Sequence, residues 1–225
     1  NIYCYNINFL YSFIFFLLLV FCSFNAKCQD DNTPLQIDIT GGKIQPMPIA
    51  ISVFSINGEI NEDMKILVEN IPNLIAKNLI NSGFFKLLDR EAYMQTPEAL
   101  INRPKFRDWR IIDAQTLISG TVSKKTEDKV SVSIEMWDVY GERRMLGITL
   151  ASKVRSWRRI AHIFSDKVYE RLTGETGYFD TRIVYISETG DQKNRIKRLA
   201  IMDQDGANTK YLTLGNELVL TPRFN

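Results

Sequence analysis

Between Val130 and Asp138 apolar and polar side chains alternate without interruption. Val130, Val132, Ile134 and Met136 face one way and Ser131, Ser133 and Glu135 the other, the signature of a strand with one face in a core and one in water. Met145 to Val154, beyond Arg143 and Arg144, is predicted to pair back as the next strand. Ile49 to Phe54 is more continuously apolar, as expected of a strand covered on both faces. Phe84 to Leu88 and Gln115 to Ser123 read as further strands. Helical spacing takes over in three places. Met64, Leu67, Val68, Ile71, Leu74, Ile75 and Leu79 recur at one-face spacing, but Pro72 predicts a break, with a new helix starting at its tolerated first-turn position and ending at Gly83. Arg107 to Ala114 predicts a short helix with Trp109 and Ile112 inward. From Ser156 a longer helix has an inward stripe of Trp157, Ile160, Ala161, Phe164, Val168 and Leu172, closed by Gly174. These elements predict an α+β domain over residues 43–177, a mixed sheet with helices on one face.

The pattern changes after residue 177. Thr181 to Ser187 is β-branched and aromatic, and Leu199 to Ile201 begins a second apolar run. Asp203 to Asn208 then supplies Asp-Gly and Asn where φ > 0 is needed, before Tyr211 and Leu212 resume the strand and Leu218 to Leu220 starts another. Strand, loop, strand, Asp-x-Asp-Gly turn and strand make most of one four-stranded propeller blade over residues 178–225. A blade cannot bury its faces alone, so the sequence predicts an incomplete β-propeller, first blade only, in a truncated chain.

At the other end, Phe9 to Cys22 is apolar apart from Ser12, the length of a signal-peptide h-region and too short to span a membrane. Residues 1–28 are therefore expected to be a cleaved Sec-type signal, cut before Gln29, with cleavage after Ala26 as the alternative. The first residue is Asn, and no Lys or Arg precedes the apolar run, so the true start is expected upstream or differently placed. Residues 29–42 form an arm in which Leu35, Ile37 and Ile39 alternate with Gln36, Asp38 and Thr40. Gly41-Gly42 and Pro46-Met47-Pro48 separate it from the sheet. Such a strand is free to add to another protein's sheet edge, or else serves as an edge strand of its own domain or stays disordered.

Composition narrows the chemistry. A net charge of +2 with 24% charged residues implies no partner, and the Arg143-Arg144 and Arg158-Arg159 pairs are too isolated for a nucleic-acid surface. Cys4, Cys22 and Cys28 all fall in the expected signal, leaving no disulfide framework or thiolate for the mature chain. With one histidine, a zinc site is not expected. Asp203-Gln204-Asp205-Gly206 lacks the further oxygen ligands of a calcium loop, and no glycine-rich phosphate cradle occurs, so neither metal nor cofactor is implied. His162, Ser165 and Asp166 share a helix face at i, i+3 and i+4, a spacing that invites a triad. A helix-embedded serine has no oxyanion hole, however, and no Gly-x-Ser-x-Gly is present, so no enzyme is expected. His162 and Asp166 are expected instead to pair or to touch the neighbouring domain.

Thr181-Arg182-Ile183-Val184-Tyr185, then Leu199 to Asn208, Tyr211-Leu212-Thr213 and Leu218 to Phe224 resemble the first propeller blade of the TolB family, periplasmic components of the Tol-Pal envelope system. The segment from Trp157 to Gly177 resembles the way that family's N-terminal domain runs into its propeller. The resemblance, from about Leu35 to Asn225, implies a non-enzymatic periplasmic scaffold that links inner-membrane Tol proteins to the peptidoglycan-associated lipoprotein. It implies that the arm, through Leu35, Ile37, Asp38 and Ile39, binds a TolA-like inner-membrane protein, and that the propeller carries the site for a Pal-like lipoprotein. No nucleic acid or small-molecule substrate is implied. The alternative is an exported peptidase of prolyl-oligopeptidase type, whose propeller carries similar turns ahead of a hydrolase domain.

Overall fold

The computed structural model describes residues 45–58, 60–191, 194–215 and 222–224. The expected signal, the arm with Leu35, Ile37, Asp38 and Ile39, and the run at Leu218 lie outside the described residues.

A mixed sheet forms the centre of the α+β domain. Strands β1 (Met47–Ile51), β2 (Ser55–Ile56), β3 (Phe85–Leu87), β4 (Thr116–Lys124), β5 (Lys129–Asp138) and β6 (Arg143–Lys153) are arranged in the order β3-β1-β4-β5-β6, with β2 also beside β4. β1 is parallel to β3 and β4, whereas β4, β5 and β6 are antiparallel, with Ile134 opposite both Gly120 and Ile148. The alternation in β5 is as read: Val130, Val132, Ile134 and Met136 are buried under the long helices while Ser131, Ser133 and Glu135 stay half-exposed. β1 starts earlier than the sequence suggests. Met47 and Pro48 pair with Phe85 and Lys86, because a proline early in a strand forfeits only one donor.

Two long helices, α1 (Glu62–Asn81) and α3 (Trp157–Thr173), pack on one face of the sheet, and the short α2 (Phe106–Ile111) covers the other. Asn61 caps α1 by accepting from the Met64 N–H at 2.8 Å. The break expected at Pro72 does not occur. A proline leaves the carbonyl four residues earlier without its helical donor, and here that carbonyl, on Val68, accepts instead from the Phe54 N–H at 2.9 Å. The connection between β1 and β2 thus replaces the missing bond and α1 continues. On the opposite face, Trp109 and Phe106 from α2 pack with Ala50, Leu117 and Trp137. Trp109 donates through Nε1 to Gln95 Oε1 at 2.8 Å, satisfying the polar end of a buried indole.

α3 ends at Gly174 in the left-handed conformation, φ 79°, with its N–H on the Glu170 carbonyl. The chain turns through Phe179, buried in the main core against Tyr169 and Tyr178, and enters a second, three-stranded antiparallel sheet. This contains β7 (Arg182–Thr189), β8 (Ile196–Asp203) and β9 (Lys210–Tyr211) in the order β7-β8-β9. Gly206 at φ 84° and Asn208 at φ 54° form the turn into β9, as the Asp-Gly pattern requires. The architecture is an α+β domain followed by the strands of a partial propeller.

Candidate functional site

The polar groups with the deepest burial gather where α3 meets the turn between β8 and β9. Asn78 belongs to the inward stripe of α1, one position before Leu79, and is buried. A buried amide must be satisfied, and Asn78 Nδ2 reaches His162 Nδ1 and Ser165 Oγ, both at 3.0 Å. The protons in this group follow by elimination. Ser165 donates its only hydroxyl proton to the Ala161 carbonyl at 2.8 Å, so toward Asn78 it accepts, and the amide must present its NH2. The same NH2 donates to His162 Nδ1, which places the proton of the neutral imidazole on Nε2.

His162 Nε2 stands 3.9 Å from Asp205 Oδ2, beyond hydrogen-bond reach, and has no hydrogen-bond partner among the described residues. Asp205 is half-buried, its side chain nearly covered, and holds an ion pair with Arg158, one turn before His162 on the same helix. The Asp205 second oxygen accepts from the Ala207 N–H at 3.2 Å. Burial pushes the Asp205 carboxyl up, but the Ala207 N–H, the Arg158 guanidinium and His162 together hold it below its ordinary value. Burial favours the neutral ring and lowers His162 from its ordinary 6.5, against the attraction of Asp205, which favours the charged ring.

Asp166, one turn beyond His162, points elsewhere. Its carboxylate accepts from the Phe179 N–H at 2.6 Å and the Asp180 N–H at 3.1 Å, pinning the turn that leads into β7. Gly177 passes directly against it: a Cβ there would lie 2.6 Å from Asp166 Cβ. The three residues that invited a triad therefore have separate duties. Ser165 is fully buried on a backbone carbonyl, His162 faces Asn78 and Asp205, and Asp166 holds the linker. Asn78, Arg158 and Asp205 were missed as site residues, although an asparagine on an otherwise apolar helix stripe is a visible signal.

Potential ligand atoms of His162, Asp203 and Asp205 lie within 4.8 Å of one another. The arrangement does not suit a cation. Asp205 Oδ2 already binds the Arg158 guanidinium, Asp203 Oδ2 accepts from Asn208 Nδ2 at 2.6 Å, and His162 Nε2 carries a proton where a metal needs a lone pair. What the group can do is hold: it joins α1, α3 and the β8–β9 turn by buried polar contacts. Among the described residues no helix is long and apolar enough to cross a membrane.

Comparison with known proteins finds two families matching successive parts of the chain. A family described as the TolB amino-terminal domain matches residues 35–145, and the TolB beta propeller domain matches residues 169–225. The Tol-Pal system protein TolB of Pelagibacter ubique is 44% identical over 221 residues, 96% of this chain and 48% of that protein. That of Paramagnetospirillum magneticum is 44% identical over 191 residues, 85% of this chain and 42% of that protein. The chain thus spans about half the length of these curated relatives. In fold, it is similar to the crystal structure of TolB from Acinetobacter baumannii, with TM-score 0.62 and 24% identity over 74% of this chain and 38% of that one. With the amino-terminal domain and the propeller segment matched in the same order as the sheet domain and the strands that follow it, the chain belongs to the TolB family.

Proposed function

We propose that the chain is the partner-binding domain and first propeller blade of a non-enzymatic periplasmic scaffold of the Tol-Pal system. It links inner-membrane Tol proteins to a peptidoglycan-associated lipoprotein and supports outer-membrane constriction during cell division. The observation that carries this reading is the ordered match of both TolB domains at 44% identity to Tol-Pal relatives. The buried polar contacts support it, since a scaffold must hold its partner-binding parts in fixed relation, and Arg158, His162 and Asp166 all meet the residues that follow α3. The arm, with Leu35, Ile37, Asp38 and Ile39, binds a TolA-like inner-membrane protein by strand addition, its alternating side chains giving register. The propeller carries the site for a Pal-like lipoprotein, and a cleaved signal delivers the protein to the periplasm.

The test is deletion of residues 29–39, followed by measurement of binding to the C-terminal domain of the cognate TolA. Loss of binding with a melting temperature within about 2 °C of the parent is expected, because the deletion leaves every residue of the core intact. Unchanged binding overturns the assignment of the arm. A large fall in melting temperature shows that the arm is structural.

A further inference from the structure

Beside the Asp205 contacts a cleft of about 540 Å3 opens between the start of α3 and the first strands of the blade. Its charges do not balance. Arg155 comes from the turn before α3, Arg182 from β7 and Lys210 from β9, and among the described residues none of the three has a carboxylate within 4.0 Å. Of the two acidic residues in the lining, Asp180 is neutralised by Arg159 at 3.3 Å and Asp203 is held by Asn208. The buried side shows the same imbalance in donors. His162 lines the cleft, its side chain 3% exposed, and its protonated Nε2 has no acceptor among the described residues; behind the lining, Arg158 Nε is also buried and without an acceptor among them, although its guanidinium pairs with Asp205. Buried donors without acceptors are uncommon, and two together next to three unpaired cations indicate where negative oxygens belong.

We propose that this cleft binds a compact polyanion, a molecule with at least two carboxylate or phosphate groups, and that bound there it bridges α3 and the blade. The volume is that of a small-molecule site rather than of a single oxyanion. Guanidinium forks suit carboxylate and phosphate oxygens alike. The cations come from both sides of the joint, so the ligand binds most tightly when α3 and β7–β9 are in register, and its binding stabilises that arrangement. The site is independent of which envelope partners the chain serves.

Titration calorimetry of the chain with citrate and with tripolyphosphate, at physiological ionic strength, tests this. Binding of either is expected, citrate alone indicating a polycarboxylate ligand and tripolyphosphate alone a phosphorylated one. Replacing the three exposed, unpaired cations together, Arg155→Ala, Arg182→Ala and Lys210→Ala, is expected to weaken binding at least about tenfold. The matched control Lys86→Ala, Arg107→Ala and Lys129→Ala removes the same charge elsewhere and should leave affinity within about twofold. Asp180→Asn, which frees Arg159, should tighten binding several-fold, an effect that a loss of structure would not produce. No binding of either anion overturns the proposal, as does a control that weakens binding as much as the cleft variant, which would show an adventitious response to net charge only.

Discussion

Asp205→Ala removes one member of a pair that is largely out of water. The Asp205 side chain is 5% exposed and that of Arg158 is 25% exposed. Deleting one partner of a buried pair costs roughly 3–5 kcal/mol, mostly because a charge is left behind without its counter-ion. Arg158 is a quarter exposed and can recover some hydration, which brings the cost below that range, to about 2–3 kcal/mol. The loss falls on the contact between α3 and the β8–β9 turn, not on the central sheet. An energy of that size multiplies the population of a detached blade by about 30 to 150. Hydrogen exchange resolves where it falls: amides of β7 and β8 should exchange about 30 to 150 times faster, while those of β5 keep the parent rate. Trp157, packed under the Arg158 guanidinium at 5.4 Å, provides a fluorescence signal at the same place. Replacing both partners by apolar groups, Arg158→Met with Asp205→Leu, should return much of the protection, since no charge is then stranded. Unchanged exchange in β7 and β8 after Asp205→Ala refutes the reasoning. Equal acceleration in β5 also refutes it, because the pair would then be stabilising the whole domain.

Asp166→Ala strands the N–H groups of Phe179 and Asp180, and at about 1.5 kcal/mol for each bond to a charged acceptor should lower the unfolding free energy in urea by about 2–4 kcal/mol, with Asp166→Asn intermediate. Gly177→Ala forces a methyl against Asp166 and should cost about 1–3 kcal/mol by the same measurement; a neutral result would mean that the turn gives way freely. Stability should also fall in mild acid. The folded His162 titrates below 6.5, so as pH drops through 6.5 the unfolded chain takes up a proton that the folded one resists, and the native state loses ground. Above about pH 7.5 both forms are neutral and the contribution is flat. The groups facing His162 are Asp205, Arg158, Asp203 and Asp180, and His162→Gln should flatten the slope between about pH 7.5 and 5.5 in urea titrations relative to the parent; an identical slope counts against it.

Period-2 and period-3.6 patterns carried most of the domain, because burial on one face imposes them directly: β5, β6 and α3 lie where alternation and stripe put them. Pro72 misled for a physical reason. A proline breaks a helix when its orphaned carbonyl finds no donor, and the donor here, Phe54 N–H, comes from a strand connection that no local pattern announces. The blade was legible from its turn chemistry, since positive φ at Gly206 and Asn208 follows from the residues themselves. The buried polar contacts were not. Asn78 on an apolar stripe says that a partner must exist, but its partner His162 is 84 positions away, and Arg158 and Asp205 are 47 apart.

One regularity ties these distant contacts together. Arg158, His162 and Asp166 stand at i, i+4 and i+8, a single polar line along three successive turns of α3, beside the apolar stripe that enters the core. Arg158 takes the β8–β9 turn through Asp205, His162 is held by α1 through Asn78, and Asp166 takes the linker through Phe179 and Asp180. Because all three project from one rigid helix, they cannot change their mutual spacing without unwinding it. The first strands of the propeller are thus oriented by α3 itself, and Phe179, buried beside Tyr169, anchors the linker to that same helix. Reorienting the blade therefore requires either breaking the Asp205 and Asp166 contacts together or moving α3 across the sheet. The second would disrupt the packing of Ile160, Phe164 and Val168 in the main core, so any reorientation that keeps that core intact must act through the polar line.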